Sequence, residues 1–264
     1  MFPTILKAGF LSIRTYGVFL AAAFLLGMRL VVKKTARLGI SDDESGKLFL
    51  WILPSGIVGA RLLYVFIEGG FDAASPLDAF RIWEGGLHYF GGLAGAVAAV
   101  AAFSVRHRSF PMWKFADAAG PSLALGLAVG KIGCFFAGCC YGRECSLPWA
   151  VVFEHPDSLA IRGLPLHPVQ LYEAAVYFLI FAAAESLYRF LPRDVDGESF
   201  WFAVFMLSFA RFILETLRWE EARWLGVSSG GIAAAVAAIA SIGCMVFLRI
   251  RARRTGATIG HVAH

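Results

Sequence analysis

Three cationic side chains interrupt long apolar stretches of the sequence, where a membrane would exclude them. Arg61, Lys131 and Arg211 each lie more than a helical turn from the nearest group of basic residues. A charge near the centre of a bilayer costs at least roughly 2.5–3.5 kcal/mol on insertion scales, so such residues normally face protein or water and serve a function. Arg29 is different, because it lies close to Lys33 and is expected to extend its charge towards the membrane surface.

The chemistry that these cations favour is phosphate binding. Arginine donates two parallel hydrogen bonds to phosphate oxygens, and several cations near one membrane face suit a phospholipid headgroup. Arg211 and Glu215 are four residues apart and share one face of a helix, where they either neutralise each other or hold a phosphate together. An ion pathway would need carboxylates within the membrane, and apart from Glu173 and Glu215 the apolar stretches contain almost none.

A cysteine cluster is the second group with chemical potential. Cys134, Cys139, Cys140 and Cys145 fall within twelve residues. Their C-x4-C-C-x4-C spacing does not match the paired C-x2-C pattern of zinc sites, so no metal is predicted. A disulfide from Cys139 or Cys140 to Cys145 is favoured if this segment faces an oxidising periplasm. The alternative is a reactive thiol that receives the lipid or acyl group in a two-step transfer.

The composition that surrounds these residues is that of a membrane protein. The 264 residues are 58% hydrophobic and only 16% charged, and the mean hydropathy is +0.67. The net charge of +5 does not indicate nucleic-acid binding, because the basic residues flank apolar segments. Lys7 and Arg14 precede the first apolar run and no small-residue cleavage site follows it, so we expect that run to remain as a membrane span.

The apolar runs predict an all-α protein with about seven transmembrane helices. Basic residues collect after the first, third, fifth and seventh runs, which predicts a periplasmic N-terminus and a cytoplasmic C-terminus. Residues 137–168 are rich in glycine and proline and predict a small external cap inserted into one transmembrane domain, residues 1–264. The predicted spans are residues 15–32, 48–67, 88–105, 116–136, 169–188, 199–217 and 230–248.

Short motifs in a fixed order carry a resemblance to a known family. The chain resembles the prolipoprotein diacylglyceryl transferases over almost its whole length. Each motif alone is weak, but their order and spacing together are specific. The motifs are Ile13–Gly17, Gly59–Tyr64, Trp83–Leu87, Gly91–Gly95, Gly130–Gly133, His167–Glu173 and Arg211–Arg218.

The resemblance implies a multi-pass enzyme of the bacterial inner membrane. It would move the diacylglyceryl group of phosphatidylglycerol to the cysteine thiol in the lipobox segment of a prolipoprotein. No cofactor, nucleic acid or obligate protein partner is implied. The catalytic residues would be Arg211, Lys131, Glu215 and His88. The substrate-binding residues would be Tyr16, Arg61, Gly142, Arg143, His167, Gln170, Tyr172, Glu173 and Arg218, of which His167, Gln170, Tyr172 and Glu173 would shape the external edge.

The sequence departs from the family pattern where the thiol would be activated. Phe90 takes the place of the usual histidine, and His88 would substitute only if the backbone there is not a regular helix. Lys131 replaces an arginine, which keeps the charge but loses the two-pronged donor. The residues Cys139 and Cys140 stand where the family has an acidic residue.

These departures keep two alternative functions open. One has the same lipid donor with a different acceptor. The other is a protein that binds or flips phospholipids without any reaction.

Overall fold

The computed structural model describes residues 2–8, 11–67, 86–190, 195–219, 223–224 and 227–254. Within these segments seven helices are long and apolar enough to cross a membrane, which confirms the predicted seven-helix fold. Beyond one end of α6, a 3-10 turn extends from Glu215 to Leu217. The helices are α1 (Thr15–Ala36), α2 (Asp42–Ile67), α3 (Tyr89–Arg106), α4 (Met112–Ala137), α5 (Val169–Phe190), α6 (Glu198–Leu214) and α7 (Ser229–Arg254).

Several helices extend beyond the predicted spans into polar sequence. Helix α2 begins at Asp42, six residues before the predicted span, because a capping box precedes it. The Glu44 amide donates to Ser41 Oγ over 3.2 Å, and the Ser41 amide donates to the Glu44 carboxylate over 3.2 Å. Hydropathy locates the apolar part of such a helix and misses its polar first turn.

Three short antiparallel ribbons lie outside the helices and were not predicted from apolar runs. The strands β1 (Thr4–Ala8) and β2 (Leu11–Arg14) precede α1. The strands β3 (Val151–Val152) and β4 (Pro165–Leu166) lie between α4 and α5, and β5 (Arg223–Trp224) and β6 (Val227–Ser228) lie before α7. Strands of two to five residues give no apolar run long enough to be recognised.

Backbone packing divides the chain into two compact units. One comprises Met1–Val31 and Trp113–His264, and the other comprises Val32–Met112. The prediction of a single transmembrane domain stays a prediction, as does the orientation of the termini.

Helices α2 and α3 form the second unit and pack at backbone distance. A Cβ atom on Gly59 would overlap the carbonyl of Gly91, and one on Gly95 would overlap the carbonyl of Ser55. Small residues at such a crossing let helices approach closely, which is how transmembrane helices gain van der Waals contact without a hydrophobic driving force. Close helix packing therefore explains why glycines stand at these positions of the Gly59–Tyr64 and Gly91–Gly95 motifs.

The first unit is built around α4, α5 and α6. Ala124, Ala128, Tyr177, Ile180 and Leu207 form its buried apolar cluster.

A buried carboxylate caps one of these helices from a distance. Asp117 of α4 accepts hydrogen bonds from the Gly197 amide over 2.7 Å and the Phe200 amide over 2.9 Å at the start of α6. It thereby satisfies amide groups that a helix cannot pair internally.

The segment between α4 and α5 folds on its own small core. Phe153, Ala160 and Leu166 are buried together under Phe135 and Tyr141. Residues 137–168 connect α4 and α5, and that they form a cap inserted into one transmembrane domain stays a prediction. Their predicted external location stays a prediction.

Replacing Gly59 by alanine is expected to destabilise the second unit. The added methyl group must displace the α3 backbone, and such overpacking costs about 1–3 kcal/mol. Thermal unfolding in detergent should show a midpoint several degrees below the parent. Gly46→Ala in the same helix is the matched control, because no atom lies within 4 Å of its Cβ position. Equal midpoints for the two variants would contradict the close helix contact.

Candidate active site

Two buried carboxylates and three cations form one connected group, which we call the charge cluster: Lys131, Glu173, Arg211, Glu215 and Arg218. Glu173 lies at its centre. Its Oε2 atom lies 2.5 Å from Lys131 Nζ, and its Oε1 atom accepts a hydrogen bond from Arg211 Nη1 over 2.7 Å.

The second carboxylate of the charge cluster is Glu215. Arg211 Nε lies 2.9 Å from Glu215 Oε2, so Arg211 bridges both carboxylates. Arg218 Nη1 lies 3.6 Å from the same oxygen, and Ser228 Oγ donates to Glu215 Oε1 over 3.0 Å. The pairing of Arg211 with Glu215 that the four-residue spacing allows is confirmed.

Three helices, the 3-10 turn after α6 and the residue that follows this turn carry these side chains. Lys131 comes from α4, Glu173 from α5 and Arg211 from α6, and the 3-10 turn after α6 carries Glu215. The start of α7 completes the group, because Gly230 leaves the space that Glu215 and Arg211 occupy: a Cβ there would lie 2.6 Å from Glu215 Oε1.

The exposure of these groups shows which of them can meet a ligand. The Glu173 and Glu215 side chains are 0% and 3% exposed, whereas Lys131 and Arg211 are 14% and 24% exposed. Three cations against two carboxylates leave one net positive charge in the charge cluster. The carboxylates therefore hold the cations from behind, and the cations present the excess charge outward.

The position of Glu173 differs from the one that the sequence predicts. We expected it at the external edge, but it is fully buried at the centre of the charge cluster. A carboxylate in an apolar helix is stable only when cations compensate it, and Lys131 and Arg211 do so from two neighbouring helices. The apolar residues around Glu173 in the sequence do not show which helices supply the cations.

Arg218 links the charge cluster to the inserted segment. Gly142 pairs with Arg218 through a β-bridge, and Arg143 Nε donates to the Arg218 carbonyl over 3.4 Å. A Cβ on Gly142 would overlap Val169 and His167, so this glycine is required for close packing. Burial opposes the charge on Arg218, but the negative charges of its neighbours, chiefly Cys140, outweigh that effect and raise the pKa of the guanidinium.

The predicted edge residues form a small polar group beside α5. Tyr172 Oη accepts a hydrogen bond from Trp149 Nε1 over 2.7 Å, and His167 Nδ1 lies 3.4 Å from the same oxygen. Gln170 is fully buried and donates to the Cys139 carbonyl over 2.8 Å. Its Oε1 atom has no hydrogen-bond partner among the described residues.

Three of the four clustered cysteines converge. The Sγ atoms of Cys134, Cys139 and Cys140 all lie within 4.8 Å of one another. All five cysteines of the chain are described and none is disulfide-bonded, and Cys145 is not among the three that converge. A bridge to Cys145 stays a prediction.

The ionisation of Cys140 differs from that of its neighbour. Hydrogen bonds from Cys134 and Cys139, helped by the charges of Lys131 and Arg218, hold the pKa of Cys140 well below its usual range against the effect of burial. Hydrogen bonds to Cys134 and Cys140 raise the pKa of Cys139.

Tyr16 lies at the start of α1, where this helix packs against α4. A Cβ on Gly133 would lie 2.6 Å from Phe19 Cβ and 3.6 Å from Tyr16 Cα. Gly133 is two residues from Lys131, so the contact places Tyr16 near the α4 turn that carries a cation of the charge cluster.

Arg61 and His88 lie in the second unit. Arg61 Nη1 donates to the Gly86 carbonyl over 3.1 Å, and its guanidinium lies 5.3 Å from the centre of the Tyr64 ring. His88 precedes α3 with an extended backbone (φ −92°, ψ 124°), and its substitution for the family histidine stays a prediction. Its Nδ1 atom is buried and has no hydrogen-bond partner within the described segments.

A model of the prolipoprotein diacylglyceryl transferase family matches residues 3–247. The chain belongs to this family. The resemblance inferred from the motifs is thus confirmed, and with it the multi-pass membrane character of the seven apolar helices.

Named relatives of this family cover most of the chain. A phosphatidylglycerol-prolipoprotein diacylglyceryl transferase of Lactiplantibacillus plantarum is 31% identical over 94% of this chain and 89% of its own length. Proteins of the same name from Tolumonas auensis and Thermus thermophilus are each 33% identical over 84% of this chain, and over 84% and 85% of their own lengths.

One contact of the site in this family member was not predicted from the sequence. Ser228 holds Glu215 and also accepts a hydrogen bond from the Gly231 amide over 2.9 Å, so it caps α7 and fixes the carboxylate together. Ser228 and Ser229 precede two glycines at the start of an apolar run, and a serine in this place is a recognisable N-terminal cap. The other partner of Ser228 is Glu215, which lies 13 residues earlier in the sequence, so no local pattern predicts this contact.

Glu173→Gln is expected to destabilise this transferase-family chain strongly. The change leaves Lys131 and Arg211 without their shared counter-charge, and breaking a buried pair costs about 3–5 kcal/mol. The midpoint of thermal unfolding should fall by on the order of 10 °C. Glu185→Gln on the same helix is the control, because Glu185 pairs with a side chain, Arg189, that is 63% exposed. A similar small shift for both variants would show that Glu173 does not organise the cluster.

Proposed function

We propose that the chain transfers the diacylglyceryl group of phosphatidylglycerol to the lipobox cysteine of prolipoproteins at the bacterial inner membrane. The observation that carries this proposal is the charge cluster, which presents one excess positive charge on partly exposed cations. Family membership and the names of the relatives support the same reaction.

The charge of the donor lipid complements this cluster. The phosphodiester of phosphatidylglycerol carries one negative charge, which would neutralise the single excess positive charge of the charge cluster. When the bond to the glycerol carbon breaks, the leaving glycerol phosphate gains a second negative charge. Cations held by buried carboxylates are already oriented for that change, and such preorganised stabilisation is usually the largest contribution to catalysis.

Each residue of the charge cluster has a role in this proposal. Arg211 and Lys131 bind the phosphate oxygens, and Arg218 adds a third positive charge. Glu173 and Glu215 fix the directions of these cations. Arg211 carries the two-pronged donor that suits phosphate, while Lys131 supplies a point charge.

The remaining predicted residues are proposed contacts of the two substrates. The Gln170 Oε1 atom, which is buried without a hydrogen-bond partner in the described part of the chain, suits a hydroxyl of the lipid headgroup. Tyr16 and Arg61 are proposed headgroup contacts, and Gly142, Arg143, His167 and Tyr172 border the substrates at the inserted segment. His88 is the proposed acceptor of the thiol proton.

The reaction is tested with the full chain in nanodiscs that contain labelled phosphatidylglycerol. A synthetic lipobox peptide is added, and glycerol phosphate and peptide mass are followed together. A peptide heavier by one diacylglyceryl group supports the proposal. Glycerol phosphate without a modified peptide would indicate another acceptor, and lipid binding without either product would indicate a binding or flipping protein.

Arg211→Ala is expected to lower kcat/KM by about 10²–10³-fold, because it removes a donor directed at the leaving phosphate. Arg211→Lys keeps the charge and should recover part of this loss, which separates an electrostatic role from a folding defect. Arg189→Ala is the matched control, since this arginine pairs with Glu185 at the exposed end of α5. Full turnover by Arg211→Ala would refute the phosphate assignment.

A further inference from the structure

The three converging cysteines have the geometry of metal ligands. Cys134 comes from the last turn of α4, and Cys139 and Cys140 follow after the helix ends. Their Sγ atoms lie within 4.8 Å of one another. Zinc binds thiolates at about 2.3 Å, so tetrahedral ligands stand roughly 3.8 Å apart, and small side-chain movements bring these three atoms to that spacing.

The loop that presents these thiols is held in a constrained conformation. Gly138 has a φ of +77°, and the space beside it is filled by Ser158 Oγ, so a side chain would not fit. Cys140 has a φ of +60°, which is uncommon for any residue with a Cβ atom. The Cys139 amide donates to the Cys134 carbonyl over 3.2 Å. Backbone strain of this kind concentrates at functional sites, where the surrounding structure maintains it.

Two cations of the charge cluster lie beside the cysteines. Lys131 stands three residues before Cys134 on one face of α4. Arg218 forms a β-bridge with Gly142, two residues after Cys140. The cysteines and the proposed phosphate site therefore share residues at their border.

We infer that Cys134, Cys139 and Cys140 bind a zinc ion whose fourth coordination position is open to the lipobox cysteine. The inference rests on the proposed function, since that function supplies the acceptor thiol. Three protein ligands and one open position are the arrangement of catalytic zinc, whereas structural zinc sites are closed by four. Cys145 is not among the three converging thiols, so no fourth cysteine of the segment closes the site.

The proposed ion would activate the acceptor thiol, a step for which this sequence has Phe90 in place of the family's histidine. A thiol that coordinates zinc loses its proton to the proposed base or to water and stays on the metal as a thiolate. The sulfur electron pair then forms the bond to the glycerol carbon of the lipid. The carbon–oxygen bond to phosphate breaks, and glycerol phosphate leaves with that electron pair. The product is a thioether, which binds zinc weakly and can depart.

Metal binding is tested on the full chain in detergent, purified under reducing conditions, stripped with a chelator and dialysed. Zinc and cobalt(II) are then added, and bound metal is counted by mass spectrometry. We expect one ion per chain and the intense visible absorption of cobalt held tetrahedrally by thiolates. Removing a residue that only hydrogen-bonds to a metal ligand weakens metal binding by roughly 10- to 100-fold. Cys139→Ser removes a proposed ligand itself, so it should weaken zinc binding by more than this. Cys244→Ser in α7 is the control and should bind metal as the parent does.

The open position is tested by adding a lipobox peptide to the cobalt-loaded chain. A cysteine peptide should change the cobalt spectrum, and the same peptide with serine should not. An unchanged spectrum would show a closed structural site and overturn the inference. Two further results would overturn the inference. One is a chain that binds no metal. The other is a disulfide among the three cysteines that mass analysis finds in protein isolated without reductant and that persists during turnover.

Failure of this inference is distinguishable from failure of the proposed function. Peptide lipidation that continues unchanged after chelation keeps the proposed function and removes the zinc site. A cobalt spectrum that responds to the cysteine peptide, without any lipidated product, keeps the thiol-binding metal and removes the proposed reaction.

Discussion

The compensation of buried charge is the constraint on which the first unit depends. Glu173 is fully buried in an apolar helix and is stable there only because Lys131 and Arg211 approach it from two other helices. Glu215 repeats the arrangement with Arg211, Arg218 and Ser228. The same ion pairs therefore hold α4, α5, α6 and the start of α7 in register and orient the cations that we propose bind an anion. Stability and the proposed function thus depend on one group of contacts in this unit.

Local features of the sequence predicted much of the fold. Each membrane span is a continuous apolar run, so hydropathy located all seven helices to within a few residues at most ends. The pairing of Arg211 with Glu215 also followed from spacing, because residues four apart on a helix are always neighbours. The order of short motifs identified the family, which the family match confirms.

Contacts between distant segments could not be predicted in the same way. The burial of Glu173 depends on cations that lie 42 residues before it and 38 residues after it in the chain. The convergence of Cys134 with Cys139 and Cys140 depends on a helix end and two residues of positive φ, which the C-x4-C-C spacing does not specify. The spacing alone predicts no metal, because it does not show that the chain turns back on α4 and brings three sulfur atoms within 4.8 Å of one another.

We propose that the charge cluster binds the phosphate of the donor lipid. A structure of the full chain, determined by electron cryomicroscopy in nanodiscs of phosphatidylglycerol, would show where this phosphate lies. We expect lipid phosphate oxygens within hydrogen-bond distance of Arg211 and Lys131, with Glu173 still buried behind them. A lipid phosphate bound elsewhere, with Arg211 and Lys131 contacting only their carboxylates, would contradict it.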